Sequence, residues 1–505
     1  MTDWTRVPVV VGAGQLTNRD EDPSRAPSPF DLMEAASRDA VASAVGAARV
    51  DAVLQELTHL FMVHSLSLRH GDPARYLAER LGAKAADART SGMGGNIPQW
   101  LVNRAAELVV AGERPRVLVA GAEALATKKR AKKAGLSLDW PTAEGWPDMW
   151  PPLDMDMGVH KVERTHGLEQ ATTMYALMET AVTHAYGRSP DEQRAAMGRL
   201  MGRLNEVAAS NPLSWFPERR DGAEIMDVTA DNRIIFWPYP KYVNAVMDVD
   251  MGAAVLVTDA ATAREWGLGE DEVAYLSGWG DAHDIWFLSE RPEVHRAESL
   301  TASVARATAT AGIGVDDIGA FDLYSCFPSS IEVARDALGI GEEDARPLTL
   351  TGGLPYHGGP GSNYVTHAIA NALRWIRDGE GDHALVHGNG FYLTKHAVGV
   401  YSRRPPTATP SAGDDLQAQL DASFRPLAVE RTLEGAATVV AYTVPYDREG
   451  APQSGVVMLQ SEGRRTAAIA DDELTAALVA GDAVGLAVHV APEGGDSKRN
   501  LARLA

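Results

Sequence analysis

Short apolar runs alternate along most of the chain with stretches in which apolar residues recur at helical spacing. The first pattern predicts buried strands and the second predicts amphipathic helices. The predicted strands are residues 8–14, 57–63, 116–123, 249–257, 274–276, 320–323 and 384–387. The predicted helices start at Ser28-Pro29, follow the glycines of residues 90–98, cover 299–311, and carry Val365, Ile369, Leu373 and Ile376 on one face. Strands that alternate with helices predict a layered α/β fold.

Two segments depart from this alternation. Tryptophan and proline crowd residues 140–152, and long amphipathic patterns over 170–186 and 191–210 predict an inserted helical domain. After a proline-rich linker at 403–411, short strand patterns at 437–446, 455–460 and 484–490, with a helix at 472–480, predict a small OB-like β-barrel.

These patterns divide the chain into domains. The predicted boundaries are 1–124 and 236–270 for a first α/β half, 125–235 for the helical insertion, 271–404 for a second half, 405–415 for the linker and 416–505 for the barrel.

The densest glycine cluster lies in residues 350–364, directly before one predicted helix. Glycine lets a backbone approach a ligand closely, and a helix N-terminus presents free N–H groups to an anion. No Gly-Lys-Ser/Thr follows, so the loop is not a P-loop. The predicted ligand contacts at the two glycine-rich helix starts are Gly358, Gly359, Ser362, Asn363 and Asn96.

Composition narrows the classes of function. No apolar run reaches membrane-spanning length, the first residues do not form a signal peptide, and a single cysteine, Cys326, excludes an internal disulfide, so we expect a cytoplasmic protein. A net charge of −21 and the absence of aromatic–basic interleaving in the barrel argue against a nucleic-acid partner. His383, His387 and His396 have no cysteine or carboxylate at ligand spacing, so no metal is expected.

Three short motifs resemble those of thiolases. Gly358-Gly359-Pro360 follows Gly352-Gly353 as Gly-His-Pro does in thiolases, residues 322–327 match the His-Asp-Cys-Phe motif of the sterol-carrier branch, and residues 386–390 stand where Cys-x-Gly is found. Over about residues 8–401 the chain is similar to sterol-carrier-type thiolases and thiolase-like proteins. The resemblance implies two duplicated α/β halves, an acyltransferase family of lipid metabolism, and coenzyme A or acyl-CoA as ligand, with no required cofactor.

The same resemblance implies that the thiolase nucleophile and base are missing. Counted back from Gly112, the cysteine nucleophile falls on Gly95, or on Asn96 with a shift of one, and Gly359 replaces the catalytic histidine. Tyr324 takes the oxyanion-hole position, where it either donates to an oxyanion or fills the emptied pocket. His387 takes the place of the acid/base cysteine.

Further residues leave alternatives open. Together with His357, the residues Tyr324 and His387 form candidates for general acid/base catalysis, or they are ordinary hydrogen-bonding side chains. The basic run Lys128, Lys129 and Arg130 begins the insertion, which holds coenzyme A in thiolases, so it binds phosphates or is a solvated face.

Three functions follow from these alternatives. The chain binds acyl thioesters without Claisen chemistry, or it is an acyltransferase or thioester hydrolase that uses histidine and tyrosine, or it is an interaction scaffold. Thiolases pair subunits through the strand that matches residues 88–95. Because this segment is rich in glycine, we expect a monomer or a weak homodimer.

Overall fold

The computed structural model describes residues 3–68, 71–411, 413, 415–494 and 497–505. Eleven strands in these ranges precede the C-terminal barrel. They are β1 (Pro8–Thr17), β2 (His59–Met62), β3 (Asp87–Thr90), β4 (Val117–Ala124), β5 (Ile234–Phe236), β6 (Tyr239–Pro240), β7 (Asp250–Asp259), β8 (Ala274–His283), β9 (Ala320–Asp322), β10 (His383–Gly390) and β11 (Lys395–Ser402). All except the hairpin β5–β6 belong to one mixed sheet.

The described residues also contain fifteen α-helices, joined to the strands by loops and short 3₁₀ turns. They are α1 (Pro29–Val45), α2 (Val50–Gln55), α3 (Pro73–Leu81), α4 (Ile97–Ala111), α5 (Leu125–Ala134), α6 (Lys161–Thr165), α7 (Ala171–Ala185), α8 (Pro190–Ser210), α9 (Gly222–Met226), α10 (Ala260–Glu265), α11 (Glu298–Ala311), α12 (Pro328–Leu338), α13 (Tyr364–Arg377), α14 (Leu416–Ser423) and α15 (Asp472–Ala480).

The core sheet contains two halves with the same strand order. The first half runs β3-β2-β4-β7-β1, and the second continues it as β8-β11-β10-β9. The halves join where Val9 pairs with Tyr275 and Val10 with Ala274. Beyond β9, the carbonyls of Pro347 and Leu348 accept backbone hydrogen bonds from that strand, at the position that β3 takes in the first half. The predicted duplicated thiolase-type α/β core is confirmed.

The structure extends several predicted elements. The strand predicted at 274–276 continues to His283 through Gly278 and Gly280. A Cβ on Gly278 would lie 2.0 Å from the Ala307 carbonyl oxygen of α11, and one on Gly280 would lie 2.4 Å from that of Ser303. These glycines therefore mark close packing of a helix on the sheet and not the end of a strand. The inserted region, predicted as helical, also contains the hairpin β5–β6.

The C-terminal region forms the small barrel that the sequence predicts. Its strands are β12 (Ala428–Val429), β13 (Gly435–Thr443), β14 (Val456–Ser461), β15 (Arg464–Ala470), β16 (Ala487–Pro492) and β17 (Asn500–Leu504). The order β15-β14-β13-β16-β17 closes where Ile469 pairs with Leu501, and β12 pairs with β15 outside this ring. The strands β15 and β17 were missing from the sequence prediction.

The barrel shares the hydrophobic core of the α/β domain. Ala441, Met458 and Ala467 on its outer face belong to the main apolar cluster of the protein. The Thr180 hydroxyl of α7 donates to the Tyr442 carbonyl and accepts from the Tyr442 N–H, both at 3.0 Å. The barrel therefore packs against the inserted region, in addition to its covalent connection through the linker. Among the described residues no helix is long and apolar enough to cross a membrane.

Candidate functional site

Two glycine-rich loops meet at the N-termini of α4 and α13, which pack against each other. The N–H of Gly94 donates to the Ser362 hydroxyl at 3.1 Å. The Asn363 amide donates to the Gly121 carbonyl of β4 at 2.7 Å and accepts from the Thr366 hydroxyl at 2.6 Å. The two loops thus form one site, and these hydrogen bonds within the protein occupy polar atoms of Ser362 and Asn363, two of the predicted ligand contacts.

Tyr324 fills the space beside Gly95. A Cβ placed on Gly95 would lie 2.2 Å from both Cζ and Oη of Tyr324. The tyrosine is only 7% exposed, and its ring packs edge-on against Tyr364 with 5.8 Å between centroids. Burial raises the pKa of the Tyr324 hydroxyl, so the side chain is neutral at physiological pH. The side chain itself takes the room that a larger residue at position 95 would need.

Two glycines of β10 pack closely against Asn96 on one side of this site. A Cβ on Gly388 would lie 2.8 Å from the Asn96 Cα, and one on Gly390 would lie 2.3 Å from the Asn96 side-chain oxygen. That oxygen is buried and has no hydrogen-bond partner among the described residues. The sequence comparison placed His387 here, but Gly388 faces the site. The His387 side chain points to the other face of the sheet, because side chains alternate along a strand.

The predicted histidines pair with other histidines. His387 Nε2 lies 3.0 Å from His396 Nδ1, and the His357 ring centroid lies 5.1 Å from that of His367. Burial, and next the neighbouring histidine, holds the pKa of His357 and of His387 well below its ordinary value, and burial lowers the pKa of His367 and of His396 to about 3. All four rings are therefore neutral, and the hydrogen bonds of the described residues do not connect them to Tyr324.

The loop of residues 350–364 is covered by other parts of the chain. The N–H of Gly359 donates to the Val246 carbonyl at 2.8 Å. Gly358 has a φ of 107°, and a Cβ there would lie 2.9 Å from the Met251 sulfur. Glycine is needed for this backbone conformation and for the close contact. The predicted exposure of the loop to an anion is thus reduced at Gly358 and Gly359.

Lys395 at the start of β11 is a charged residue of this site that sequence analysis missed. Its ammonium donates to the Met93 carbonyl at 2.8 Å and to Asp154 at 2.7 Å, and it lies 4.1 Å from the Phe391 ring centroid. Burial lowers the pKa of Lys395. The strand β11 was not predicted from the sequence. Its prediction would have placed Lys395 beside this site, because β11 pairs with β10 and Lys395 lies opposite Gly390.

Glu123 is a second missed residue, and it connects the glycine loop to the segment after β2. Its carboxylate accepts from the N–H of Leu66 at 2.7 Å and of Ser67 at 2.9 Å. A Cβ on Gly361 would lie 2.4 Å from Oε1 of Glu123. Burial raises the pKa of this carboxyl. An acidic residue within a predicted buried strand was the available sequence signal.

A basic pocket of about 860 Å³ lies beside α5. Lys128, Lys129 and Lys132 line it together with Ser67, Trp140 and Thr142. Lys129 pairs with Asp248, and Lys128 donates to the Leu66 carbonyl at 3.2 Å.

Arg130, predicted with these lysines, does not line the pocket. Its guanidinium donates to the Asp20 carbonyl at 3.0 Å and lies 3.9 Å from Asp250. Of the predicted group Lys128, Lys129 and Arg130, only the two lysines line this pocket, and Lys132 lines it as well.

The chain itself covers the outer edge of β3 at the C-terminal end of the strand. Thr90 donates to the Asp148 carbonyl at 3.1 Å and accepts from the Trp150 N–H at 2.9 Å, and Gly92 donates to the Pro151 carbonyl at 2.9 Å. An uncovered edge strand presents unpaired N–H and C=O groups for association. The resemblance to thiolases implied subunit pairing along this segment, and residues 148–151 of the insertion already occupy it.

We therefore expect a monomer at micromolar concentration in sedimentation velocity. Trp150→Ala removes the aromatic contacts of the cover with Phe61 and Trp100, at 5.3 and 4.8 Å between centroids, and should give concentration-dependent association. Trp146→Ala is the control, because Trp146 is 90% exposed in the same segment. A tight wild-type dimer with residues 91–94 in its interface would contradict this prediction.

Comparison with known proteins places the chain beside thiolase-like structures. Residues 415–495 match the sequence profile of the additional C-terminal domain of thiolase-like protein type 1. A monomeric SCP2-thiolase-like protein type 1 from Mycobacterium smegmatis is 33% identical, with 100% of each chain covered and a TM-score of 0.84.

Two enzymes share the fold at lower identity. Human mitochondrial 3-ketoacyl-CoA thiolase, solved in complex with CoA, is 14% identical with a TM-score of 0.56, over 79% of this chain and 99% of that one. Acetyl-CoA acetyltransferase from Syntrophomonas wolfei is 11% identical with the same coverage and TM-score. A search of curated proteins finds no significant match.

Proposed function

Since the chain belongs to the SCP2-thiolase-like proteins of type 1, we propose that it binds coenzyme A thioesters or related acyl ligands without Claisen chemistry. The observation that carries the second half of this proposal is the contact between Tyr324 and Gly95. A covalent acyl-enzyme needs a nucleophilic side chain, and glycine has none. The Tyr324 ring also takes the space in which such a side chain would react.

The proposed ligand-binding residues are Lys128, Lys129 and Lys132 of the basic pocket. Coenzyme A carries phosphates, and ammonium groups bind phosphates through charge-assisted hydrogen bonds. In a chain of net charge −21, three lysines and one carboxylate, Asp248 paired with Lys129, line this pocket and leave it with a local excess of positive charge. On this proposal the protein acts in the cytoplasm on thioesters of lipid metabolism and needs no further cofactor.

Catalysis by histidine and tyrosine has less support. His357 and His387 lie in separate neutral pairs, and a general acid/base must reach the proton that it transfers. If no thioester binds, the preferred function becomes that of an interaction scaffold.

The proposal is tested by thermal shift with coenzyme A, acetyl-CoA and longer acyl-CoAs, together with an acetoacetyl-CoA thiolysis assay. We expect the melting temperature to rise with ligand concentration, because a ligand that binds the folded state stabilises it by mass action. We also expect no thiolysis. The binding proposal fails if millimolar coenzyme A and acyl-CoAs give no shift, and turnover that is lost on alkylation of Cys326 would refute the absence of chemistry.

The site of binding is tested by a triple variant, Lys128→Gln, Lys129→Gln and Lys132→Gln. We expect the Kd for coenzyme A to rise by about tenfold or more, since each tenfold change corresponds to about 1.4 kcal/mol, and its salt dependence to flatten. The matched control neutralises three exposed lysines outside the pocket, Lys84, Lys133 and Lys161. Equal affinities in the two triple variants would assign the lysines to a solvated surface.

A further inference from the structure

A smaller pocket between α8, α12 and the segment after α12 plays no part in the proposed function. It has a volume of about 290 Å³, and its charged lining residues are Arg199, Arg203, Arg335, Glu342, Glu343 and Asp344. It shares no lining residue with the lysine pocket beside α5. The lining contains equal numbers of basic and acidic side chains, which suggests a pocket without net charge. The ion pairs of these side chains, however, are not distributed evenly among the arginines.

Two of the arginines have no carboxylate partner. Arg335 is 5% exposed, its side chain makes no hydrogen bond or ion pair with any described residue, and its Nε is buried without a partner. Arg203 donates to the Arg346 carbonyl at 2.8 Å and forms no ion pair within the described part of the chain. A buried donor such as this Nε costs free energy when it has no partner, since it has lost its hydration.

The acidic residues of the pocket are engaged elsewhere or lie in solvent. Glu342 pairs with Arg188 at 2.9 Å and with Arg199 at 3.4 Å at the rim of the pocket. Asp344 pairs with Arg346 at 2.6 Å. Glu343 is exposed. None of these carboxylates forms an ion pair with Arg203 or Arg335 in the described part of the chain, although the charges of Asp344 and Glu343 partly offset that of Arg203.

The acidic neighbours of Arg335 on its own helix form no ion pair with it within the described residues, although the second oxygen of Glu332 is buried without a partner. Glu332 accepts from Gln193 at 2.8 Å, and Asp336 accepts from the Tyr186 hydroxyl at 3.0 Å. Burial, and next the proximity of Arg335, lowers the pKa of Arg203, as expected for two like charges in one pocket. An anion between the two guanidiniums would offset their repulsion and would give the Arg335 side chain the hydrogen-bond partner that it lacks.

We propose that this pocket is a phosphate-binding site formed by Arg203 and Arg335, with Arg199 at its rim. The planar guanidinium matches the spacing of two phosphate oxygens and donates two parallel hydrogen bonds. The pocket accepts either free phosphate or the phosphate group of a small metabolite, because both present the same oxyanion.

The test is titration calorimetry and thermal shift in phosphate-free buffer, with inorganic phosphate, AMP and acetate as probes. We expect saturable binding and a raised melting temperature with phosphate, with AMP, or with both, and no effect of acetate at equal ionic strength. Whichever of inorganic phosphate and AMP binds more tightly shows whether the pocket prefers free phosphate or a phosphate group carried by a metabolite. Equal shifts with acetate, or no saturable binding of either phosphate probe at millimolar concentration, would overturn the proposal.

Variants separate binding from a structural role. Arg335→Met should abolish the phosphate-dependent shift, while its melting temperature without phosphate should equal or exceed that of the wild type, because an unpaired buried charge is removed. Arg219→Gln is the control, since Arg219 is exposed, pairs with Glu206 and lies outside the pocket. If Arg335→Met does not fold, Arg203→Gln takes its place. Wild-type phosphate shifts in the tested variant would refute the assignment.

Discussion

Gly95→Ala should destabilise the folded protein by about 2–3 kcal/mol, although it adds a single methyl group. The new Cβ would lie 2.2 Å from Cζ and Oη of Tyr324, where no side chain has room. Because Tyr324 is buried against Tyr364, relief requires movement of packed core residues. Urea unfolding measures the effect, and Gly341→Ala is the control. A Cβ on Gly341 meets no atom within 4 Å, so that variant should change stability by less than about 0.5 kcal/mol.

A double-mutant cycle isolates the contact. Tyr324→Ala alone should cost about 3–5 kcal/mol, as expected for loss of a large buried aromatic side chain. In that background Gly95→Ala should be nearly neutral, which gives a coupling energy of about 2–3 kcal/mol. Equal costs of Gly95→Ala in both backgrounds would show that Tyr324 does not occupy the space beside position 95.

Above pH 6.5, the ordinary pKa of histidine, stability should fall as pH rises, and a buried pair of carboxyls, Glu179 and Glu332, is the main cause. Gln193 donates to Glu179 at 2.5 Å and to Glu332 at 2.8 Å, and the Tyr239 hydroxyl donates to Glu179 at 2.6 Å. The second oxygen of Glu332 has no partner among the described residues. Burial, and next the charge of Glu179, raises the pKa of Glu332 well above its ordinary value. One proton is therefore held by the pair at neutral pH.

The sign of the effect follows from proton linkage. A raised pKa means that the folded state binds more protons than the unfolded state above the ordinary pKa of 4.5. The free energy of unfolding then decreases by about 1.4 kcal/mol per pH unit for such a group until its folded-state pKa is passed. Burial also raises the pKa of Glu163 and of Asp322 to about 6, so the contribution of each to stability decreases as pH rises to about 6, where the buried neutral histidines contribute in the opposite direction.

Glu332→Gln removes the largest contribution. The variant should show a flatter profile above pH 6 and greater stability than the wild type at pH 9, in urea unfolding at fixed ionic strength. The control Glu434→Gln changes an exposed carboxylate and should keep the wild-type slope. Parallel profiles for Glu332→Gln and the wild type would contradict the assignment to this pair.

Local patterns in the sequence determined the type and order of most elements. Apolar runs predicted the central strands, and the glycine clusters before α4 and α13 marked the two loops that meet in the structure. The barrel was predicted from three of its strands and one helix. The glycines inside β8 hid most of that strand, because close packing on α11 and a strand end leave the same local signal.

The tertiary structure alone decided which side chains became partners. The sequence placed Gly95 and Tyr324 in one cleft and left open whether the tyrosine fills it, and in the structure the tyrosine ring lies where a side chain on residue 95 would be. His357 and His387 were candidates for one site, yet strand alternation and burial gave each a different histidine as neighbour. The cover over β3 and the unpaired Arg335 depend on segments far apart in the chain. Periodicity records which face of an element is buried, whereas the partner on that face is set only when distant elements pack together.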